Sequence, residues 1–407
     1  MRRAGTTGAV ALAVLFGLVP VGSAGAEAGE PVAPGVVYRQ LAVATPQGTA
    51  RVHLLTVDLA QPGLSVDLLH ADAVAARAPL TRLAGERGAV AAVNGDFFHL
   101  SELQHPGVAA TGAAVGPELA AGRPLKAAVP SAQRFGWALP GGAAVEDVVG
   151  VGLDGRARFG RLALAGTVRS PAGAVPLEGL NQYALPVGGV GAFTADWGAA
   201  SRARAVCGSD VSRAAPCSGE TREVTVRRGR VTATVPEPGE GRVAADSVVL
   251  VGREAGARYL SGLRVGDPVQ LAPHLLDAGG GGLLRWALGS SVILAGGRPV
   301  DGLNASVAEP RSCVGIGASG RRLYLLATDG RGGESAGLTV RGLAVLMGEL
   351  GAESAGQLDG GGSATLVARD VAASGRPAVR NRLDGGAERA VPNGIGVFSP
   401  GAGRPGG

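Results

Sequence analysis

The chain has 407 residues, 46% of them hydrophobic but only 3% aromatic, with 70 glycines and a formal charge of +5. That length allows one large or two moderate domains with proper cores, built here from small aliphatic side chains. The weak positive balance comes without a clustered basic run, which argues against nucleic acid as a partner.

Arg2 and Arg3 precede an apolar run from Ala9 to Val21, followed by Ser23, Ala24, Gly25 and Ala26. A positive start, a short apolar centre and an A-x-A site predict a signal peptide over residues 1–26. The run is short for a spanning helix. The expectation is a secreted, extracellular protein with no membrane span left after cleavage. Removing two arginines brings the charge from +5 to +3. Cys207 and Cys217 close a short loop rich in Ser, Pro and Gly, as a disulfide in an exported chain would. Cys313 sits in an apolar run and reads as a buried free thiol.

Residues 27–35 read as a loose leader. From Tyr38 to Leu69 the pattern is strand-like, with Gln61-Pro62-Gly63 as a turn. Pro79 to Arg87 predicts a short helix. Ala89–Val93 predicts a buried strand ending at Asn94-Gly95-Asp96-Phe97-Phe98, polar groups and aromatics that fit a cleft wall. Strand-like pieces follow at Arg134–Leu139 and Val148–Leu153. Between 205 and 280, Glu223–Val235 alternates like a strand, and the whole segment reads as a small β-rich insertion carrying the disulfide.

Further on, Ala287–Ala295 predicts one strand. Ser312–Ala318 and Arg322–Thr328 predict a hairpin closed by Ser319-Gly320. Leu343, Leu346, Met347 and Leu350 fall at i, i+3, i+4 and i+7, a helical stripe from about Val340 to Leu350 with Thr339 as N-cap. The turn Asp359-Gly360-Gly361-Gly362-Ser363 leads into a strand at Ala364–Ala368, and Arg389–Phe398 predicts the last strand. The tail over 401–407 reads as disordered. The expected class is mixed α+β: a mostly antiparallel sheet with packed helices, plus the β-rich insertion, in one domain over 27–400.

Gly315-Ile316-Gly317-Ala318-Ser319-Gly320 matches G-x-G-x-x-G but crosses a hairpin, whereas dinucleotide binding needs a strand-to-helix turn. The Gly360–Ser363 turn has no Lys and opens no helix, so it is no Walker loop. No H-E-x-x-H occurs. His99 and His105 lack a third ligand at metal spacing, so no metal site and no cofactor is expected, with a divalent cation left open. Asp329 and Asp359 stand out among the Asp-Gly dipeptides because each borders an apolar strand. Arg311 and Arg331 flank the same region, and an Arg fork suits phosphate or carboxylate. Residue chemistry alone gives an anionic ligand.

Five segments, in order, resemble the phosphodiester glycosidase family. Leu358–Thr365 resembles its Leu-Asp-Gly-Gly-Gly-Ser-Ser-Thr turn. Asn94–Phe98 resembles an Asn-Gly-Gly/Asp-Phe-Phe segment, and Pro310–Gly315 a Pro-Arg-Thr-Ala-Ile-Gly strand. Thr328–Arg331 and Arg389–Asn393 resemble a Thr-Asp-Gly-Arg end and an Arg-x-Val-x-Asn close. The resemblance implies hydrolysis of a sugar 1-phosphodiester at its glycosidic bond, with a phosphorylated glycan as substrate. It implies Asp359 or Asp329 as base or nucleophile and Asp96 and Asn94 on sugar hydroxyls. Arg311, Arg331, Ser363, Thr365 and the amides of Gly360, Gly361 and Gly362 would hold phosphate, with Asn393 a further substrate-binding residue. Gln357, Ala364 and Gly342 depart from the pattern, standing where the family has Asn, Ser and Glu. These departures keep an alternative in play, an extracellular module that binds phosphorylated glycans without turnover.

Overall fold

The computed structural model describes residues 29–331, 335–370 and 375–400. The predicted signal peptide over 1–26 and the predicted tail over 401–407 lie outside the described residues.

Among the described residues there are 27 strands against three α-helices, Leu80–Arg87, Ala255–Ser261 and Val340–Glu349. The protein is therefore mostly β, and the expectation of a helix-packed α+β fold is overturned. The reason lies in the Gly- and Pro-rich punctuation. It makes turns between antiparallel strands, as at Gly155 (φ 74°) and Gly229 (φ 74°), where Gly takes a left-handed turn without the Cβ penalty.

Two sheets frame the site. The larger has eight strands, in the order Glu30–Ala33, Val36–Thr45, Gly48–Asp58, Arg322–Thr328, Ser312–Gly317, Ser354–Leu358, Ser291–Ala295, Arg298–Pro299. The second has five, in the order Pro377–Val379, Leu366–Arg369, Ala91–Asn94, Asn393–Phe398, Ser65–His70. Both are antiparallel throughout. Their facing residues, among them Leu55, Val57, Leu68, Val93, Val314, Leu325, Leu366 and Ile395, are buried in one cluster. A continuous apolar layer of this kind is what fixes register, since a one-residue slip would turn every strand inside out.

Several expected elements recur with shifted edges. The helix Val340–Glu349 is capped by Thr339, whose hydroxyl accepts from the Gly342 amide at 3.0 Å. Its buried stripe of Leu343, Ala344, Leu346 and Met347 packs with Ile293 and Leu294. The hairpin turn after Gly317 is longer than two residues, because Ala318, Ser319 and Gly320 all have positive φ. Ala287–Ala295 is two strands, Leu284–Gly289 and Ser291–Ala295, which break at Ser290 and enter different sheets. Arg134–Leu139 forms no strand; it follows the short 3-10 helix Ser131–Gln133 as a loop. The strands of residues 221–277 pair with strands from 157–193, so this segment is woven into sheets begun before it.

Candidate active site

The two framing sheets end side by side, and Asn94 ties them. Its Oδ1 accepts from the Ser312 hydroxyl at 2.6 Å and the Thr365 amide at 3.1 Å, while its Nδ2 donates to the Asp359 carbonyl at 2.7 Å. The Asp359 amide in turn donates to the Gly95 carbonyl at 2.8 Å. Asn94 is fully buried, so its amide holds the junction of strands together and leaves little for a sugar. Asn393 has a similar task. Its Oδ1 accepts from the Asp96 amide at 2.9 Å and its Nδ2 donates to Glu118 at 2.8 Å.

Each of the three glycines after Asp359 meets a different constraint. A Cβ on Gly360 would lie 2.5 Å from the Pro310 carbonyl oxygen. Gly361 has φ 56°, a left-handed backbone that Gly adopts without strain. A Cβ on Gly362 would lie 2.3 Å from Nη2 of Arg389. The turn is a platform pressed against Pro310, just before the strand Ser312–Gly317, on one side and under an arginine on the other. Its amides are partly committed: Gly361 donates to the Pro310 carbonyl at 2.9 Å, and the Gly360 amide serves the Asp359 carboxylate.

Asp359 is half-buried, and desolvation pushes its carboxyl up to about 7. The Ser363 hydroxyl, Arg389 and the Gly360 amide oppose that rise, while the charge of Asp96 adds to it. Asp96 is buried and its own carboxyl is pushed up to about 6, again by desolvation, against the Gly116 amide that donates to Oδ2 at 2.6 Å. Room for this carboxylate depends on Gly289, where a Cβ would stand 2.3 Å from Oδ2. Behind it lies Lys126, fully buried, donating to the carbonyls of Gly116 and, at 2.7 Å, Ala127. Burial pushes that ammonium down to about 8, with Glu118 and Asp96 opposing. Lys126 is the chain's only lysine, and nothing in its sequence context marks it as the counter-charge of a buried acidic pair.

A cavity of about 190 Å³ opens over Asp359, lined also by Phe97, Phe98, Glu309, Arg311, Gly360, Gly361, Arg389 and the segment Phe135–Trp137. Arg311 is buried and spends Nε and Nη2 on the carbonyls of Leu338 and Val307 at 2.9 and 3.0 Å. Arg389 donates to the Ser363 hydroxyl at 3.2 Å, and its charge favours the ionised Asp359 carboxylate. Sequence reasoning missed Arg389 as a site residue, although it opens the Arg389–Asn393 segment, and it missed Glu309, one residue before Pro310. Among the described residues the buried Thr365 hydroxyl finds no hydrogen-bond partner.

Asp329 and Arg331 are not among that lining. Asp329 Oδ1 accepts from His53 Nε2 at 2.8 Å and from the Arg382 amide at 2.7 Å, and His53 Nδ1 meets the Tyr38 hydroxyl at 2.7 Å. Arg331 is largely exposed and forms a fork with Asp384, the shorter contact being 2.8 Å. A larger cleft of about 880 Å³ lies against the helix Leu80–Arg87, but none of the predicted site residues lines it.

His99 and His105 converge on Glu102, at 2.9 and 3.0 Å, with Arg204 on the same carboxylate. Desolvation and the Arg204 charge push His99 down to about 4. Cys207 and Cys217 are joined in a disulfide as expected, which occupies the sulfurs that lie near His105. The Cys313 thiol is buried and burial raises its pKa.

Residues 220–398 match the family model for phosphodiester glycosidases, NAGPA, a range that contains four of the five resembling segments and leaves out Asn94–Phe98. The resemblance is thus borne out over that range. No curated protein matches the chain. Among solved structures, a hypothetical protein from Synechocystis superposes with a TM-score of 0.67 at 22% identity, over 90% of this chain and 62% of its own. The chain therefore spans less than two thirds of that relative. A Burkholderia pseudomallei protein described as exported gives a TM-score of 0.70 at 18% identity, over 96% of this chain and 100% of its own. These likenesses establish a shared fold. The zebrafish N-acetylglucosamine-1-phosphodiester alpha-N-acetylglucosaminidase catalytic domain, auto-inhibited by its pro-peptide, gives a TM-score of 0.41 at 13% identity, over 92% of this chain and 87% of its own.

Proposed function

We propose that the protein is a secreted hydrolase that cleaves the glycosidic bond of a sugar 1-phosphodiester, on glycans of the cell envelope or its surroundings. The observation that carries this is one cavity in which Asp359 meets Arg389 and Arg311 beside an aromatic wall. A space of about 190 Å³ lies below the roughly 300–1,000 Å³ of drug-sized sites, so it suits one sugar ring or phosphate, with the remainder of the substrate outside. No helix among the described residues is long and apolar enough to cross a membrane, and the disulfide fits an oxidising compartment.

In this mechanism the substrate phosphate lies against Arg389, with Arg311 behind the turn, and the sugar stacks on the wall of Phe97 and Trp137. Asp359 acts in its ionised form, as base toward water or as nucleophile at the anomeric carbon. The departing phosphate monoester is already a weak base, so the site needs anion stabilisation more than leaving-group protonation. Asp96 sets the field under Asp359. Glu309, across the cavity, is the second carboxylate available to the reaction.

The test is sugar release from a synthetic N-acetylglucosamine-1-phosphodiester. The wild type should release free sugar, and folded Asp359→Asn should not. Undiminished turnover by that variant would remove Asp359 from the mechanism. A non-catalytic glycan-binding module is the second reading, favoured by the commitment of the Gly361 amide to Pro310. It predicts saturable binding of the same compound with no sugar released.

A further inference from the structure

The exposed loop closed by Cys207–Cys217 reaches the cavity wall through one side chain. Val211, Ser212, Ala214 and Pro216 are exposed, whereas Arg213 is half-buried. Its guanidinium lies 4.0 Å from the centre of the Phe135 ring and donates to the Arg134 carbonyl at 3.0 Å. The same loop is gripped from below. Gln133 Nε2 donates to the carbonyls of Ser209 and Ser212 at 2.6 and 3.2 Å, and Gly208 packs so closely on Gln133 that a Cβ would come within 2.4 Å.

From Arg134 the chain of contacts runs into the candidate site. Arg134 donates to the Trp137 carbonyl and stands 6.0 Å from the Phe97 ring centre. Gly136, with φ 97°, lies on that ring; a Cβ there would meet it at 2.6 Å. Phe97, Phe135, Gly136 and Trp137 are all cavity lining. The segment 134–139 has no strand pairing of its own, so these side-chain contacts fix where it stands.

We propose that Arg213 is a positioning residue for the aromatic wall of the active site, and that the Cys207–Cys217 disulfide holds it in place. The loop is an external strut: it touches neither Asp359 nor the glycine turn, yet it sets the distance between Trp137 and the carboxylate. An Arg over an aromatic face gains both stacking and charge–quadrupole attraction, which Ala removes and Lys reproduces only in part. The substrate-binding part of this assignment rests on the proposed function; the structural part does not.

The experiment measures acrylamide quenching of Trp137 fluorescence together with kinetics on the 1-phosphodiester. Trp197 and Trp286 are buried, so Trp137→Phe supplies the background. Arg213→Ala, and wild type treated with a thiol reductant, should both make Trp137 more quenchable. Arg213→Ala should raise KM about 5-fold with kcat within about 2-fold, and Arg213→Lys should lie between it and wild type. Unchanged quenching in both the variant and the reduced wild type would overturn the proposal. A fall in kcat with KM unchanged would also overturn it. If the wild type turns over no 1-phosphodiester, the function is wrong, and the quenching still decides whether Arg213 places the wall.

Discussion

Arg389 crosses Gly362 so closely that a single added methyl at Gly362 would stand 2.3 Å from its Nη2. The contact is with the far end of a flexible side chain, and Gly362 is not among the positive-φ residues, so Gly362→Ala should fold. We expect a stability change under about 1 kcal/mol but a loss of activity of about 10- to 100-fold, as Arg389 leaves Ser363. Arg389→Ala should lose as much, and the double variant no more than either alone, because both act on one guanidinium. Additive losses in the double variant would separate the two residues.

The acid limb of the rate profile should report Asp359. Its carboxyl is pushed up to about 7, and the proposed role needs the ionised form, so kcat/KM should rise with pH and level off above about 7. Arg389 lowers this pKa, so Arg389→Ala should move the limb to higher pH. A profile that falls through pH 7 would mean that the protonated carboxyl is the working form, and Asp359 would become the acid.

Asp329 should prove structural. Its Oδ1 holds His53 and the Arg382 amide, and His53 holds Tyr38, which fixes the pairing of Gly48–Asp58 with Arg322–Thr328 at its site end. Asp329→Asn cannot accept as strongly and should cost about 1–3 kcal/mol in urea denaturation, with kcat of the folded protein nearly unchanged. Loss of turnover in a variant of wild-type stability would return Asp329 to the chemistry.

Local patterns in the sequence read best where one face is buried. The helix after Thr339 and the hairpin partners Ser312–Gly317 and Arg322–Thr328 follow from apolar spacing alone. The class did not, because Gly-rich stretches with weak periodicity concealed short strands such as Gly173–Pro176 and Glu118–Ala120. At the site, Asp359 and its glycines could be picked out by their borders with apolar strands. Asn94 and Asn393 are substrate ligands by the family resemblance alone, and in the structure both side chains bond neighbouring strand ends. Glu309, Arg389 and the Phe135–Trp137 wall were missed for a different reason. They meet Asp359 only through sheet topology, from segments 50, 30 and more than 200 positions away.

Asp359 should also lower stability in proportion to its ionisation. Its folded pKa of about 7 lies above the ordinary carboxylate value of 3.8, so between these values the folded state holds more protons than the unfolded state. Stability attributable to this group is therefore greatest at or below about pH 4 and falls as pH rises towards 7, with no further loss above. Asp359→Asn keeps the backbone bonds to Gly95 and Asn94 but carries no charge to desolvate. The variant should match wild type in Tm at pH 4 and exceed it at pH 8. Because the side chain is partly solvated, the gain at pH 8 should be about 2 kcal/mol. Thermal denaturation at the two pH values reads this directly. A difference between the proteins that stays constant from pH 4 to 8 would mean that Asp359 ionises in the folded protein as it does in the unfolded chain.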